Sequence, residues 1–204
     1  MSKSTLSAIF AAAAVSTLAI GFASAEPVGG ILSEIKGGVF VHDVGRDSIN
    51  KTIESNTIDI NAEILSVPLK FASSTTPALN SLYQPRVHLG LTANTAGWTN
   101  TAYTGLTWDW GLGAGFFLDF SFGFAAHDGQ HRGKTDAKGN FLTGNGRPNL
   151  GSAILFREGL DLGYRFDGHN SISAFAGHIS NAGWFAKQND GMNWLGARYG
   201  YKFD

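Results

Sequence analysis

The chain has 204 residues, of which only 15% are charged, and Lys+Arg 15 against Asp+Glu 16 leaves a net charge of −1. That balance excludes a basic nucleic-acid binder and a charge-rich disordered chain. With no cysteine there is no disulfide scaffold, no thiolate metal site and no cysteine nucleophile, while 27 glycines and 15 phenylalanines suit a β-protein in apolar surroundings.

Met1–Ala25 reads as a secretory signal. Lys3 supplies the positive start, Leu6 to Phe22 is mainly apolar, and Ala23-Ser24-Ala25 is a small-residue cleavage pattern. Residues 26–204 are expected to form the exported domain. They contain no apolar run of about 18 residues, so any membrane crossing must be made by strands.

Period-two alternation then recurs along the chain. Ile58, Ile60, Ala62 and Ile64 alternate with polar residues, as do Val87, Leu89, Leu91 and Ala93. The pattern continues through Leu106–Leu112, Phe116–Phe124, Ile154–Phe166 and Leu195–Phe203. Ile35–Val44 and Ser171–Ser180 are weaker strands that bring the count to eight. Such alternation marks strands with one apolar face, and segments of about ten residues suit a tilted bilayer crossing. Phe116, Phe120, Phe122 and Phe124 on one strand are too bulky for an eight-strand lumen, so the apolar faces are expected to meet lipid. The expected fold is all-β, an eight-stranded antiparallel transmembrane β-barrel. A soluble calycin-like barrel, with these faces reversed, is the alternative. Trp108, Trp110, Trp194, Tyr199, Tyr201 and Phe203 are expected in aromatic girdles. Arg157, Arg165 and Arg198 with Asp119 and Asp161 are expected as interior ion pairs.

Turns are expected at Gly111–Gly113 and Gly168–Asn170 on one side of the membrane, with a long loop over His127–Asn149 on the other. Pro68–Gln84 departs from this pattern, being a long connection on the short-turn side.

The chemistry concentrates near the end of the chain. His178 and Ser180, two apart on a strand, share a face, and a serine needs a neighbouring base such as histidine to become a nucleophile. By parity the pair joins Ile172, Ala174 and Ala176 on the apolar face. Polar groups cost energy on a lipid face, so a His–Ser pair there points to chemistry on a lipid of the outer leaflet, where lipopolysaccharide carries ester-linked acyl chains.

The stretch His178-Ile179-Ser180-Asn181-Ala182-Gly183, followed by Lys187-Gln188-Asn189-Asp190-Gly191, resembles the lipid A 3-O-deacylase family, the PagL-type outer-membrane barrels. The close likeness covers Gly177 to about Asn193. The resemblance implies a barrel in the outer membrane of a Gram-negative bacterium, monomeric or homodimeric, that hydrolyses the ester at the 3-position of lipid A. It implies a Ser–His–Glu triad without metal or cofactor, and neither nucleic acid nor a metal site is expected here. Ser180 matches the nucleophile and His178 the base. Asn181, Asn189 and the Gly183 region match the residues near the oxyanion.

The triad acid of the family falls at Asn193 in this chain, which brings an acceptor but no charge. If the sixth and seventh strands meet across a three-residue turn at 167–169 or 168–170, Glu158 lies on the same face, opposite His178 or Ser180, and becomes the candidate carboxylate. The other readings are a weakened or inactive structural barrel of the same family and a soluble periplasmic lipid-binding barrel. His42 with Asp43 and His127 with Asp128 lack further ligands at metal-site spacing. His131, Arg132 and Lys134 make a basic loop suited to lipid A phosphates.

Overall fold

Alternating residues give every strand one face for hydrocarbon and one for the interior, and the chain closes on that rule. A computed structural model describes residues 30–45, 52–131, 134–135, 141–142 and 146–203. The barrel strands are β1 (Leu32–His42), β2 (Ile58–Ser66), β3 (Arg86–Asn94), β4 (Thr101–Gly113), β5 (Phe116–His127), β6 (Ile154–Arg165), β7 (Asn170–Ser180) and β8 (Met192–Lys202). All pair antiparallel with their neighbours in sequence, and β8 closes onto β1 with Tyr199 opposite Gly37. The signal expected over residues 1–25 lies outside the described residues.

The faces point as the phenylalanine pattern requires. Leu89, Leu91, Phe120, Phe122, Phe124, Leu160, Leu162 and Ile172 stand exposed on the outer wall. The interior holds charges in close pairs. Lys36 Nζ lies 2.6 Å from Asp119, Arg198 Nη1 lies 3.0 Å from Asp161, and Arg86 bonds Glu34. Tyr103 donates its hydroxyl to Glu63 at 3.0 Å, and the Arg157 guanidinium lies 3.7 Å from the Tyr103 ring centroid. Phe40 and Phe175 stack at 4.5 Å and fill the remaining space. Buried charges need such partners, because an unpaired ion in this interior would carry its full desolvation cost. The expected partners of the arginines are thus partly rearranged: Asp119 serves Lys36 and Arg86, and Arg165 bonds Asp109.

Two expectations need correction. Trp194 is not in a girdle. Its parity is opposite to that of Tyr199, and it lies inside, 4% exposed, donating Nε1–H to Asp59. The β4–β5 turn is not Gly111–Gly113, because β4 runs through Gly113, which pairs with Phe116. The turn is Ala114-Gly115, both at positive φ (49° and 86°), the conformation that lets a two-residue hairpin follow the strand twist. The long 67–85 connection contains a helix, α1 (Pro77–Tyr83), with Pro at its first position.

The β6–β7 turn carries consequences for chemistry. Asp167 accepts from the backbone of His169 (2.8 Å) and Asn170 (2.5 Å), closing a three-residue turn. This sets the β6–β7 register so that Glu158 pairs with His178 and Phe156 with Ser180. The connections β1–β2, β3–β4, β5–β6 and β7–β8 leave from one end of the barrel, and β2–β3, β4–β5 and β6–β7 from the other. Within 128–153, Lys134–Thr135 pairs with Phe141–Leu142.

Candidate active site

Four side chains share the outer wall near the loop-rich end. His178 on β7 is flanked by Glu158 on β6 and by Asn193 on β8, each its direct cross-strand partner. Ser180 lies two residues further along β7 on the same face. Direct partners on one face bring Cβ atoms to about 4.5–5.5 Å, so a glutamate and a histidine side chain both have the length to meet. His178, Ser180 and Asn193 are half-buried and Glu158 is exposed.

The imidazole is held by its partner on β8. His178 Nδ1 lies 2.7 Å from Asn193 Oδ1. The amide is itself oriented, because Asn193 Nδ2 donates to the Val44 backbone carbonyl at 3.2 Å, and the Val44 N–H donates to the Asn193 backbone carbonyl at 3.2 Å, which holds the two segments together. With its NH₂ committed to a carbonyl, the Asn193 amide offers only its oxygen to the ring. Nδ1–H therefore donates to Asn193 Oδ1, which leaves Nε2 for other partners. A carboxylate at position 193 has no donor for Val44, so the chain end of β1 explains why an amide suits this place.

The 181–191 loop is braced by its own polar groups. Asn181 is fully buried. Its Nδ2 donates to Leu150 O (3.1 Å) and Gln188 O (2.5 Å), and its Oδ1 accepts from Gly183 N (2.7 Å). Its backbone N–H donates to Asn189 Oδ1 at 2.8 Å. The Asn181 side chain and the Gly183 N–H, both expected near the oxyanion, are thus used inside the loop. Asn189 is exposed and anchored through its oxygen. Asp190 accepts from Asn149 N at 2.7 Å, tying this loop to 128–153. Ala182 and Gly183 both take positive φ (53° and 74°), and Trp184 N closes that turn onto Asn181 O at 2.9 Å.

Gly191 ends the loop at φ 61°, and a Cβ there would lie 3.0 Å from His178 Cε1. Gly191→Ala is therefore strained in backbone and crowds the ring. We expect it to push the ring off Asn193 and shift the imidazole NMR signals of His178, with the barrel still closed. Side-chain NMR beside heat-modifiable gel mobility checks this, and unchanged signals would show that the ring does not depend on the space.

Beside Ser180 the wall is aromatic. Phe156, its cross-strand partner, stacks on Phe185 at 5.3 Å and meets Trp184 edge-on at 5.6 Å. Trp184 is 79% exposed. Such rings on an outer wall suit acyl chains.

The other expected polar pairs do not assemble a metal site, and no cluster of three or more metal-ligating side chains occurs among the described residues. His42 lies between Asp59 (2.7 Å) and Glu54 (3.3 Å) inside the barrel mouth. His127 bonds Ser152 O at 2.6 Å. Of the basic loop, Arg132 lies outside the described residues, and His131 stands exposed against His127.

Sequence reasoning missed Val44, which acts through its backbone and has no side-chain signature. It also missed Glu54. This buried carboxylate joins three loops, accepting from His42, from Arg147 Nε and from Thr99 N at 3.1 Å. Burial pushes its pKa up, but the hydrogen bonds from His42, Arg147 and Thr99 prevail and hold it at about 2. A depressed carboxylate contributes stability above its unfolded value, and that contribution is lost as pH falls from about 4.5 toward 2. Pepsin cleavage in the loop-rich end should rise over that interval. Glu54→Gln should show the same loosening at neutral pH to a neutral protease. Equal cleavage of both proteins at every pH would contradict the role.

A closed barrel with ion pairs inside and phenylalanines outside is, by class, an outer-membrane β-barrel. The family described as Lipid A 3-O-deacylase (PagL) matches residues 79–202, more than half of the chain, and the chain belongs to that family. Its place is the outer membrane of a Gram-negative bacterium. Among solved structures, that of the outer membrane enzyme PagL superposes with TM-score 0.55 at 19% identity, covering 82% of this chain and 97% of that one. The N-terminal β-barrel domain of Pseudomonas aeruginosa OprF gives TM-score 0.49 at 12% identity, covering 86% and 100%. A designed transmembrane β-barrel gives 0.48 at 12% identity, covering 87% and 99%. No curated protein matches the chain.

Proposed function

We propose that this barrel hydrolyses the 3-O-linked acyl ester of lipid A with Ser180 as nucleophile and His178 as base. The observation that supports this most is the outward-facing constellation: Glu158, His178 and Asn193 in one cross-strand row, with Ser180 beside it on the lipid-facing wall. The ester carbonyl of an outer-leaflet saccharolipid approaches along that wall, its chain against Phe156 and Phe185.

His178 Nε2 takes the Ser180 hydroxyl proton as Oγ bonds to the ester carbon. The tetrahedral intermediate collapses by breaking the bond to the sugar 3-oxygen, which leaves with the proton from Nε2. Water then attacks the acyl-serine, giving its proton to His178, and the fatty acid leaves as Ser180 recovers a proton. Asn189, with its oxygen held by the Asn181 N–H, is the oxyanion donor through its NH₂ group. Asn181 and Gly183 shape the loop that carries it. Asn193 fixes the tautomer, and Glu158 on the opposite side of the ring stabilises the imidazolium. The usual acid's two tasks, orientation and charge, are divided between two strands.

The test is incubation of the purified barrel with lipid A in detergent micelles. The wild type should release one 3-hydroxy fatty acid per lipid A from the 3-position, and Ser180→Ala none. The neutral Asn193 favours one competing reading, a structural barrel of the same family. Intact lipid A with folded wild type would establish it and overturn the proposal.

A further inference from the structure

The 67–85 connection is far longer than the two other turns at its end of the barrel, and it is built rather than loose. Its two arms are paired, Leu69 N to Pro85 O at 2.8 Å and Phe71 N to Tyr83 O at 3.1 Å. Asn80 Oδ1 accepts from Ser74 N at 3.3 Å and from Gln84 Nε2 at 2.9 Å. Helix α1 is then fastened to the outside of the wall. Trp108 donates Nε1–H to Leu82 O at 3.1 Å, and Trp110 donates to Ala78 O at 3.2 Å.

This ordered element turns its apolar side chains away from the protein. Phe71 is 71% exposed, and Val67, Leu79, Leu82 and Tyr83 are also exposed. Three of its polar residues face the other way. Asn80, Ser81 and Gln84 line a cavity in the barrel mouth together with Arg86, Asp109 and Lys202. A helix held rigidly with leucines outward and amides toward the protein is arranged for an apolar solvent. Around it the lipid-facing wall continues without a break, since Trp108 stacks on Phe120 at 6.0 Å and Leu112 and Phe116 stand exposed beside the β4–β5 turn.

We propose that α1 and the arms of the 67–85 connection lie in the phospholipid leaflet at the barrel end opposite His178, as an interfacial apron. Phe71, Leu79 and Leu82 sit at the boundary of headgroups and acyl chains, and the exposed Lys70 beside Phe71 meets the phosphates. Trp108 and Trp110 act as the hinge plate. Where girdle indoles bond to headgroups, these two bond to the helix and carry the apolar surface outward through it. The occupant is phospholipid because the apron continues the face that hydrocarbon already covers. The element thereby adds apolar area at one interface only, which resists vertical displacement of the barrel.

The chain has no cysteine, so single labels report cleanly. Phe71→Cys, Leu79→Cys and Leu82→Cys, each carrying an environment-sensitive fluorophore, are compared with Gly168→Cys, which lies in the polar turn at the same end with open space around it. The full chain is placed in phosphatidylethanolamine–phosphatidylglycerol vesicles. The three apron labels should emit to the blue of the Gly168 label and lose most of their emission to lipids with nitroxides near the headgroup. Three separate exposed positions keep the test intact if one variant fails to close. Apron labels that emit as the Gly168 label does would overturn the proposal. Labels shielded from water yet unquenched by lipid nitroxides would overturn it too, since protein would then cover the surface.

Discussion

His178→Gln is expected to lower the rate of lipid A deacylation by at least about 10³-fold, with KM nearly unchanged. The proposed mechanism assigns the Ser180 proton to this imidazole, and glutamine offers no basic nitrogen in its place. The change leaves the barrel alone, because His178 stands on the outer wall, away from the ion pairs around Lys36, Glu63 and Arg198. Single-turnover measurements on micellar lipid A, with heat-modifiable gel mobility as the folding control, give the number. A loss below tenfold would mean that another group is the base.

Glu158→Gln should lower kcat by about 10²-fold, some 2.7 kcal/mol, while leaving KM within twofold. In a serine triad, turning the acid into an amide costs about 10⁴, chiefly because the histidine adopts the wrong tautomer. Here Asn193, locked by the Val44 carbonyl, already sets the tautomer from the other side. The loss at Glu158 is therefore confined to charge stabilisation. Glu158→Asp should recover part of the rate, which a merely structural glutamate would not do. Asn193→Ala should cost a comparable factor by freeing the ring. Equal kcat for wild type and Glu158→Gln would remove the glutamate from the mechanism.

The barrel was legible because its solvent is written in parity. Phe116, Phe120, Phe122 and Phe124 share a face, and no eight-strand lumen holds them. The same parity placed His178, Ser180 and Glu158 together once the length of the 167–169 turn was settled by Asp167. Trp194 shows the limit. Aromatic character alone suggests a girdle, whereas a parity opposite to that of the outward Leu195 sends it inward to Asp59. The turn at Ala114-Gly115 is hard to place because glycines stand at 111, 113 and 115, and only the pairing of Gly113 with Phe116 singles out the two residues that reverse the chain. The network around the site was least legible. Val44 acts by a backbone carbonyl, and Asn181 by saturating loop groups from residues 150, 183, 188 and 189. Contacts of that kind depend on the closed barrel bringing loop ends together, which no local pattern encodes.

Ester hydrolysis on this wall requires Ser180 to be an activated nucleophile open to the bilayer. A long-chain alkyl phosphonate ester, dissolved in vesicles containing the wild-type barrel, tests that by mass spectrometry of the digested protein. One phosphonyl adduct per chain is expected, on Ser180, absent in Ser180→Ala and strongly slowed in His178→Gln. No adduct on a folded wild-type barrel, or an adduct on another residue, would contradict it.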